Sequence, residues 1–255
     1  MSVDFGRTAD DYAKYRHGFP DALFDRLFTL GVARAGQRAL DLGTGTGTIA
    51  RGLARRGLNV LGLDPAEPML EQARALSVGL PAEYRVGRAE ETGVPDRSFD
   101  LVTAGQCWHW FDRARAAAEA MRLLVPGGSL VIAHMDWLSL PGNCVELTEA
   151  LFEELAGGNG WPAAELGFGV GVYPYWLKDV ARFERIETFS FDVALPYSQE
   201  AWRGRVRASA AIGARLPRDR VAEFDARLAS ELGARFQDPL SVPHRIWALI
   251  ARRPS

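Results

Sequence analysis

The stretch Asp41-Leu42-Gly43-Thr44-Gly45-Thr46-Gly47 sets a carboxylate and three glycines within seven residues, and Asp64 adds a second carboxylate further on. Glycines at such a point let the backbone turn sharply and let a ligand approach the main chain where a Cβ would obstruct it. An acidic side chain about 20 residues downstream accepts hydrogen bonds from both hydroxyls of a ribose. Together they specify an adenosine-type ligand. In a dinucleotide site the spacing is GxGxxG and the helix N-terminus receives a pyrophosphate. Here it is GxGxG, with Thr48 where the third glycine would fall. Asp41 would repel a pyrophosphate but could hold, directly or through water, the ammonium of a methionine moiety. A sulfonium nucleoside fits better than a dinucleotide.

Other side chains able to do chemistry follow. Trp108-His109-Trp110 comes two residues after the apolar run FDLVTAG, and His134, Asp136 and Trp137 stand at the end of SLVIAHMDW. A neutral imidazole at His109 could act as general base at pH 7. The bland reading has His109 bonded within its loop and the tryptophans packed under a cap. Methyl transfer by in-line displacement often needs only proximity and orientation, so a base is not obligatory. His134 and Trp137 are expected to contact the acceptor. Tyr12, Tyr15 and Arg16 lie on a possible lid helix, with Arg16 placed to pair with a carboxylate on cofactor or acceptor. Structural roles are expected for His17, His244 and Cys107, and Arg203, Arg205 and Arg207 are expected to form a solvated face.

The elements that must position these groups alternate along residues 38–136: RALDLG, TIARGLARRG, NVLGLD, EPMLEQARALS, AEYRVG, FDLVTAG, RARAAAEAMRLLV and SLVIAHM. That rhythm is βαβαβ, implying parallel strands joined by right-handed crossovers. Ligands of open α/β sheets bind at the carboxyl edge, which is where the chemistry falls. Beyond it come Trp- and Gly-rich sequence around VELTEALFEEL, the strand-like RIETFSFDVAL, two amphipathic helices (about 199–213 and 217–234) and VPHRIWALIARR, expected as the last strand of the main sheet. Upstream, Pro20 must end or kink a helix.

The 255 residues suit one α/β domain with an insertion, and 30 basic against 32 acidic side chains give a net charge of −2. Nucleic acid is therefore disfavoured as a partner. No apolar run approaches the ~20 residues that span a bilayer, and the chain is expected to be cytoplasmic. Cys107 and Cys144 stand apart, without CxxC or metal-ligand spacing, so neither a disulfide framework nor a metal site is indicated.

The sequence resembles the class I S-adenosylmethionine-dependent methyltransferases, particularly the small-molecule type 11 and trans-aconitate methyltransferase-like group. The resemblance rests on ALDLGTGTG, LGLDPAEPML, FDLVTAGQCWHWFD and LVPGGSLVIAHMDW, in that order. FGRTADDYAKYRHGF is similar to the group's N-terminal lid, with His17 where many members have Pro. The resemblance implies a Rossmann-like, seven-stranded, mostly parallel sheet with helices on both faces. It would form a single domain, with a lid (1–35), a cofactor-binding core (36–136), an inserted cap (137–180) and a C-terminal part completing the sheet (181–255).

The resemblance further implies that Asp41, Gly43 and Gly45 surround the methionine part, Asp64 takes the ribose hydroxyls, and Pro65 and Met69 flank the adenine. Arg88-Ala89-Glu90 matches the stretch at the adenine edge, with the Ala89 amide donating to a ring nitrogen; Arg88 stands where many relatives have Asp. Gln106 would turn its backbone carbonyl to the methionine ammonium. By their positions on the lid and at the sheet edge, Tyr12, Tyr15, Trp108, His109, His134 and Trp137 are expected to face the acceptor. The expectation is a monomeric or homodimeric enzyme that moves a methyl group from S-adenosyl-L-methionine to a small molecule, leaving S-adenosyl-L-homocysteine. The alternatives are a non-catalytic binder of that cofactor and, less favoured, a nicotinamide-dependent oxidoreductase.

Overall fold

The computed structural model describes residues 14–15, 17–156, 174–209, 212 and 216–255. The chain divides into two compact units. One, the sheet unit, comprises Gly18–Met135, Pro174–Ser190 and Trp247–Ser255; the other, the helical unit, comprises Met1–His17, Asp136–Tyr173 and Phe191–Ile246.

The sheet has seven strands in the order β3-β2-β1-β4-β5-β7-β6. They are β1 (Arg38–Leu42), β2 (Asn59–Asp64), β3 (Ala82–Val86), β4 (Phe99–Gly105), β5 (Leu124–Trp137), β6 (Glu184–Tyr197) and β7 (Leu240–Arg252). β1 pairs in parallel with β2 and β4, β2 with β3, and β4 with β5. Between β5 and β7 the direction reverses. Gly127 donates to the Arg253 carbonyl, Arg253 donates to that of Gly128, and Leu138 donates to that of Pro243, so numbers fall on one strand as they rise on the other. The final strand thus joins the main sheet, as its sequence pattern suggested.

The central strands are short and apolar because helices cover both faces: Ala39, Leu40, Leu42, Leu101, Val102 and Ala104 are fully buried. The edge strands read differently. β3 and β6 are largely exposed, apart from the buried Tyr84 and Tyr197 and the partly buried alternate positions late in β6, and carry charges at Glu83, Arg85, Glu184 and Glu187, which discourage pairing with another chain.

Helices α1 (Asp21–Thr29), α2 (Thr48–Ala54), α3 (Glu67–Leu76) and α4 (Arg113–Leu123) belong to the sheet unit. Pro20, with extended backbone, stands immediately before α1. α1 buries Leu23, Phe24 and Leu27, and Phe24 sits where Gly52 of α2 has no side chain: a Cβ there would lie 2.0 Å from the Phe24 Cζ.

The helical unit has its own core. Helices α5 (Cys144–Ala156), α6 (Gln199–Arg207) and α7 (Arg218–Arg235) pack through Phe152, Trp202, Val206, Phe224, Leu228 and Leu232. Arg203 and Arg207, four residues apart and so on one face of α6, both pair with Asp225, at 3.1 and 2.6 Å. They are partly buried ion-pair residues of the α6–α7 contact, which corrects the solvated face expected for this run. Arg205 projects to the other side, its guanidinium 4.8 Å from the Trp137 ring centre. Among the described residues no helix is long and apolar enough to cross a membrane.

The Gly52–Phe24 contact makes a specific expectation. Gly52→Ala gains helix propensity of about 1 kcal/mol but forces a methyl into an aromatic ring, which costs about 1–3 kcal/mol. Chemical denaturation is expected to show a net loss of stability that shrinks when Phe24→Leu is added. A neutral or stabilising Gly52→Ala would refute the contact.

Candidate functional site

The site is built where β1 and β2 end. Asp41, on β1, is almost wholly buried and faces inward. Its Oδ2 accepts from the Thr44 hydroxyl at 2.6 Å and its Oδ1 from the Thr103 hydroxyl of β4 at 2.7 Å. Burial pushes its carboxyl up to about 6, against the downward pull of the Thr44 and Thr103 hydroxyls. This revises the expectation that Asp41 faces a ligand. Its side chain binds strand β1 to the glycine loop and to β4.

The three loop glycines have different reasons. Gly43, at φ +60°, is enclosed by protein: a Cβ there would lie 2.9 Å from Cys107 Sγ and 3.1 Å from Phe111 Cζ. Gly47, at φ +78°, precedes α2 and abuts the Tyr84 hydroxyl, which would lie 2.6 Å from a Cβ. Among the described residues, only at Gly45 of the three, at φ +53°, would a Cβ meet nothing closer than ordinary van der Waals contact, with Met69 Cε at 3.5 Å. Room for a ligand at the bare main chain is therefore a property of Gly45.

Asp64 closes β2 and is half-buried. Its Oδ2 accepts from the Gly45 amide at 2.9 Å and its Oδ1 from the Ala66 amide at 2.9 Å. Burial raises its carboxyl above the usual range, and the Ala66 and Gly45 amides pull it back. Each oxygen thus takes one amide and keeps further acceptor capacity, the acceptors that a ribose diol requires. Beside it Pro65 is exposed, whereas Met69 is buried under Gly45. Ala89 is buried and Arg88 exposed. Glu90 turns inward, accepting from the Asp112 amide at 3.0 Å and lying 3.6 Å from the Arg88 guanidinium.

After β4 the chain turns at Gln106, whose φ of +62° is rare for a residue with a side chain. Its amide donates to the Ala133 carbonyl and its side-chain amide to that of Met135, which fixes the turn against β5. The short helix Trp108–Trp110 follows. Of its two tryptophans, Trp108 is fully buried, with its indole N–H donating to Asp179 at 2.9 Å, while Trp110 is 50% exposed. Trp108 therefore packs in the core, contrary to the acceptor contact expected of it. His109 is partly buried, its ring 4.7 Å from Trp110 and 5.3 Å from His134. His134 is itself buried, 4.8 Å from Trp176, so it backs the site rather than lining it.

The remaining expected acceptor residues fall in the helical unit. Trp137 donates to Glu149 at 3.3 Å and meets Trp202 edge to face at 5.1 Å. Tyr15 fills the space over Gly204, where a Cβ would lie 2.2 Å from its ring. Both serve packing within that unit. There too Tyr197 lies between His17, at 4.4 Å, and His244, at 6.0 Å, and burial lowers His244 to about 4. Tyr12 and Arg16 lie outside the described residues. Cys107 and Cys144 are buried thiols, and Cys107 Sγ donates to the Leu42 carbonyl at 3.1 Å.

Sequence reasoning missed Thr103 and Tyr84, which brace the loop. Gly62, inside β2, was the available signal: its missing Cβ makes room for Tyr84 at 2.7 Å and Thr44 at 2.9 Å, and glycine within a strand marks such close approach.

A glycine loop after β1, an acidic residue ending β2 and a turn after β4 define an α/β fold that receives an adenosine-type ligand at the carboxyl edge of its sheet. Residues 40–132 match the family model described as a methyltransferase domain. A Mycobacterium bovis protein named as an uncharacterized methyltransferase is 41% identical over 131 residues, 51% of each chain. The present chain thus spans about half the length of the curated relatives it matches. An Anaeromyxobacter dehalogenans structure, provisionally assigned as a type II methyltransferase, superposes with TM-score 0.70 at 29% identity over 94% of this chain and 99% of its own. The fold is also that of a Haemonchus contortus phosphoethanolamine N-methyltransferase solved with S-adenosylhomocysteine, at TM-score 0.53 and 21% identity, over 99% of this chain and 58% of that one. Residues 40–132 therefore match a methyltransferase domain, and the fold is shared with solved methyltransferase structures.

The buried Asp41 has a pH signature. Folded, it keeps its proton up to about pH 6; unfolded, it releases it near 3.8. Its protonation therefore favours the fold at low pH, and that contribution is lost as pH rises through about 6. Urea unfolding of wild type and Asp41→Asn at a series of pH values is expected to show the wild-type advantage shrinking by about 3 kcal/mol between roughly pH 4 and 7. A constant difference would mean the carboxylate is ionised throughout.

Proposed function

We propose that the protein transfers a methyl group from S-adenosyl-L-methionine to a small-molecule acceptor by direct displacement. The observation that carries this reading is the hydrogen bond between the Gly45 amide and Asp64 Oδ2. It joins the loop glycine least crowded by side chains to the carboxylate that, in this reading, takes the ribose, across the ends of adjacent strands. The bare main chain at Gly45 and the acceptor oxygens of Asp64 fit the nucleoside, which when bound supplies an electrophilic methyl group on a sulfonium.

In this reading Asp64 accepts from the ribose hydroxyls with the capacity its two amides leave. Pro65 and Met69 border the adenine, the Ala89 amide and Glu90 lie at its edge, and the Gln106 carbonyl turns toward the methionine ammonium. Gly43 and Asp41 act indirectly, by fixing the loop. His109 is the side chain placed to accept a proton from the acceptor.

Calorimetric titration tests this. Wild type is expected to bind both S-adenosylmethionine and S-adenosylhomocysteine. Asp64→Ala should weaken both by about ten- to a hundredfold, the worth of one or two hydrogen bonds to a charged group, with Asp64→Asn between. A folded wild type that binds neither nucleoside would overturn the reading.

A further inference from the structure

Five rings run in file through the sheet unit from solvent to core: Trp110, His109, His134, Trp176 and Trp247. Successive ring centres are 4.7, 5.3, 4.8 and 5.4 Å apart. Trp110 is 50% exposed, whereas His134, Trp176 and Trp247 are 1%, 0% and 6% exposed. Only the outermost ring has a large face open to solvent, and the imidazole stands directly behind it. The turn carrying both lies on the cofactor loop, since Cys107 and Phe111 occupy the space a Gly43 side chain would take. A half-exposed indole tilted at 46° to an imidazole is a platform for a flat molecule whose polar edge reaches the imidazole.

We propose that Trp110 seats a planar, aromatic hydroxyl compound as methyl acceptor and that His109 takes its hydroxyl proton. This rests on the methyltransferase reading above. The acceptor oxygen forms its bond to the methyl carbon as the sulfonium carbon–sulfur bond breaks, the electron pair staying on sulfur. The hydroxyl proton passes to the His109 imidazole and from there to solvent. The half-exposed indole face offers stacking to a flat ring, which favours a phenol over an aliphatic carboxylate.

The test uses the full chain with 2-naphthol and catechol, against succinate and trans-aconitate. Binding is read by calorimetry with and without S-adenosylhomocysteine, and transfer by radiolabelled methyl. The phenols are expected to bind and be methylated while the carboxylates are not. Trp110→Ala should raise the phenol Kd and KM about tenfold or more, Trp110→Phe should stay within about threefold, and cofactor affinity should be unchanged in both. His109→Asn should lower kcat by about a hundredfold or more with little change in phenol binding. Cofactor binding without phenol binding, phenol binding indifferent to Trp110→Ala, or binding without transfer would each overturn the proposal and leave the cofactor reading standing. Failure to bind the cofactor at all would instead overturn the function on which it rests.

Discussion

A single buried carboxylate holds the ligand end of the sheet together. Asp41 receives one hydroxyl from its own loop and one from the neighbouring strand, with almost no contact with water. Burying an ionisable group is expensive unless it is hydrogen-bonded or neutralised. Here the two threonine hydroxyls and a carboxyl pushed up to about 6 meet that cost together. What is gained is definition: the chain leaves β1 in one direction, Gly45 is presented to the next strand's end, and its amide meets Asp64. A loop with three residues at positive φ would otherwise have many conformations open to it.

Much of this was legible from sequence where one physical rule acts alone. Strands covered on both faces must be apolar, so RALDL, NVLGL and FDLVTAG read as parallel strands. A strand, glycines, a helix and a later acidic residue give the loop and its ribose carboxylate. The final strand declared itself by its apolar length. Where two rules compete, composition is silent. Trp108 and Trp110 are the same residue type two positions apart, and only the tertiary partner Asp179 decides which is buried. Trp137 and Tyr15, aromatic and near the expected edge, are consumed by packing within the helical unit. The α6 arginines mislead because a run alternating every second residue conceals the four-residue repeat that brings Arg203 and Arg207 to one partner.

Division of labour among like residues recurs throughout the site. Two carboxylates close neighbouring strands, yet one is sealed inside as a tie and the other stays partly open with acceptor capacity to spare. Two histidines face each other, but the buried one supports the half-buried one. In each pair, burial sets the task and residue type only permits it.

The turn after β4 presses Cys107 and Phe111 into the place a side chain at Gly43 would fill. Loop and turn are thereby one steric object, and their residues are not free to change independently. A bulkier residue at 107 would push on a backbone that has nowhere to retreat, and a smaller one would leave a void beneath the loop. The thiol there fills this volume and donates to the Leu42 carbonyl at 3.1 Å, so among descendants of this chain positions 43, 107 and 111 should drift as a set, whatever becomes of the ligand.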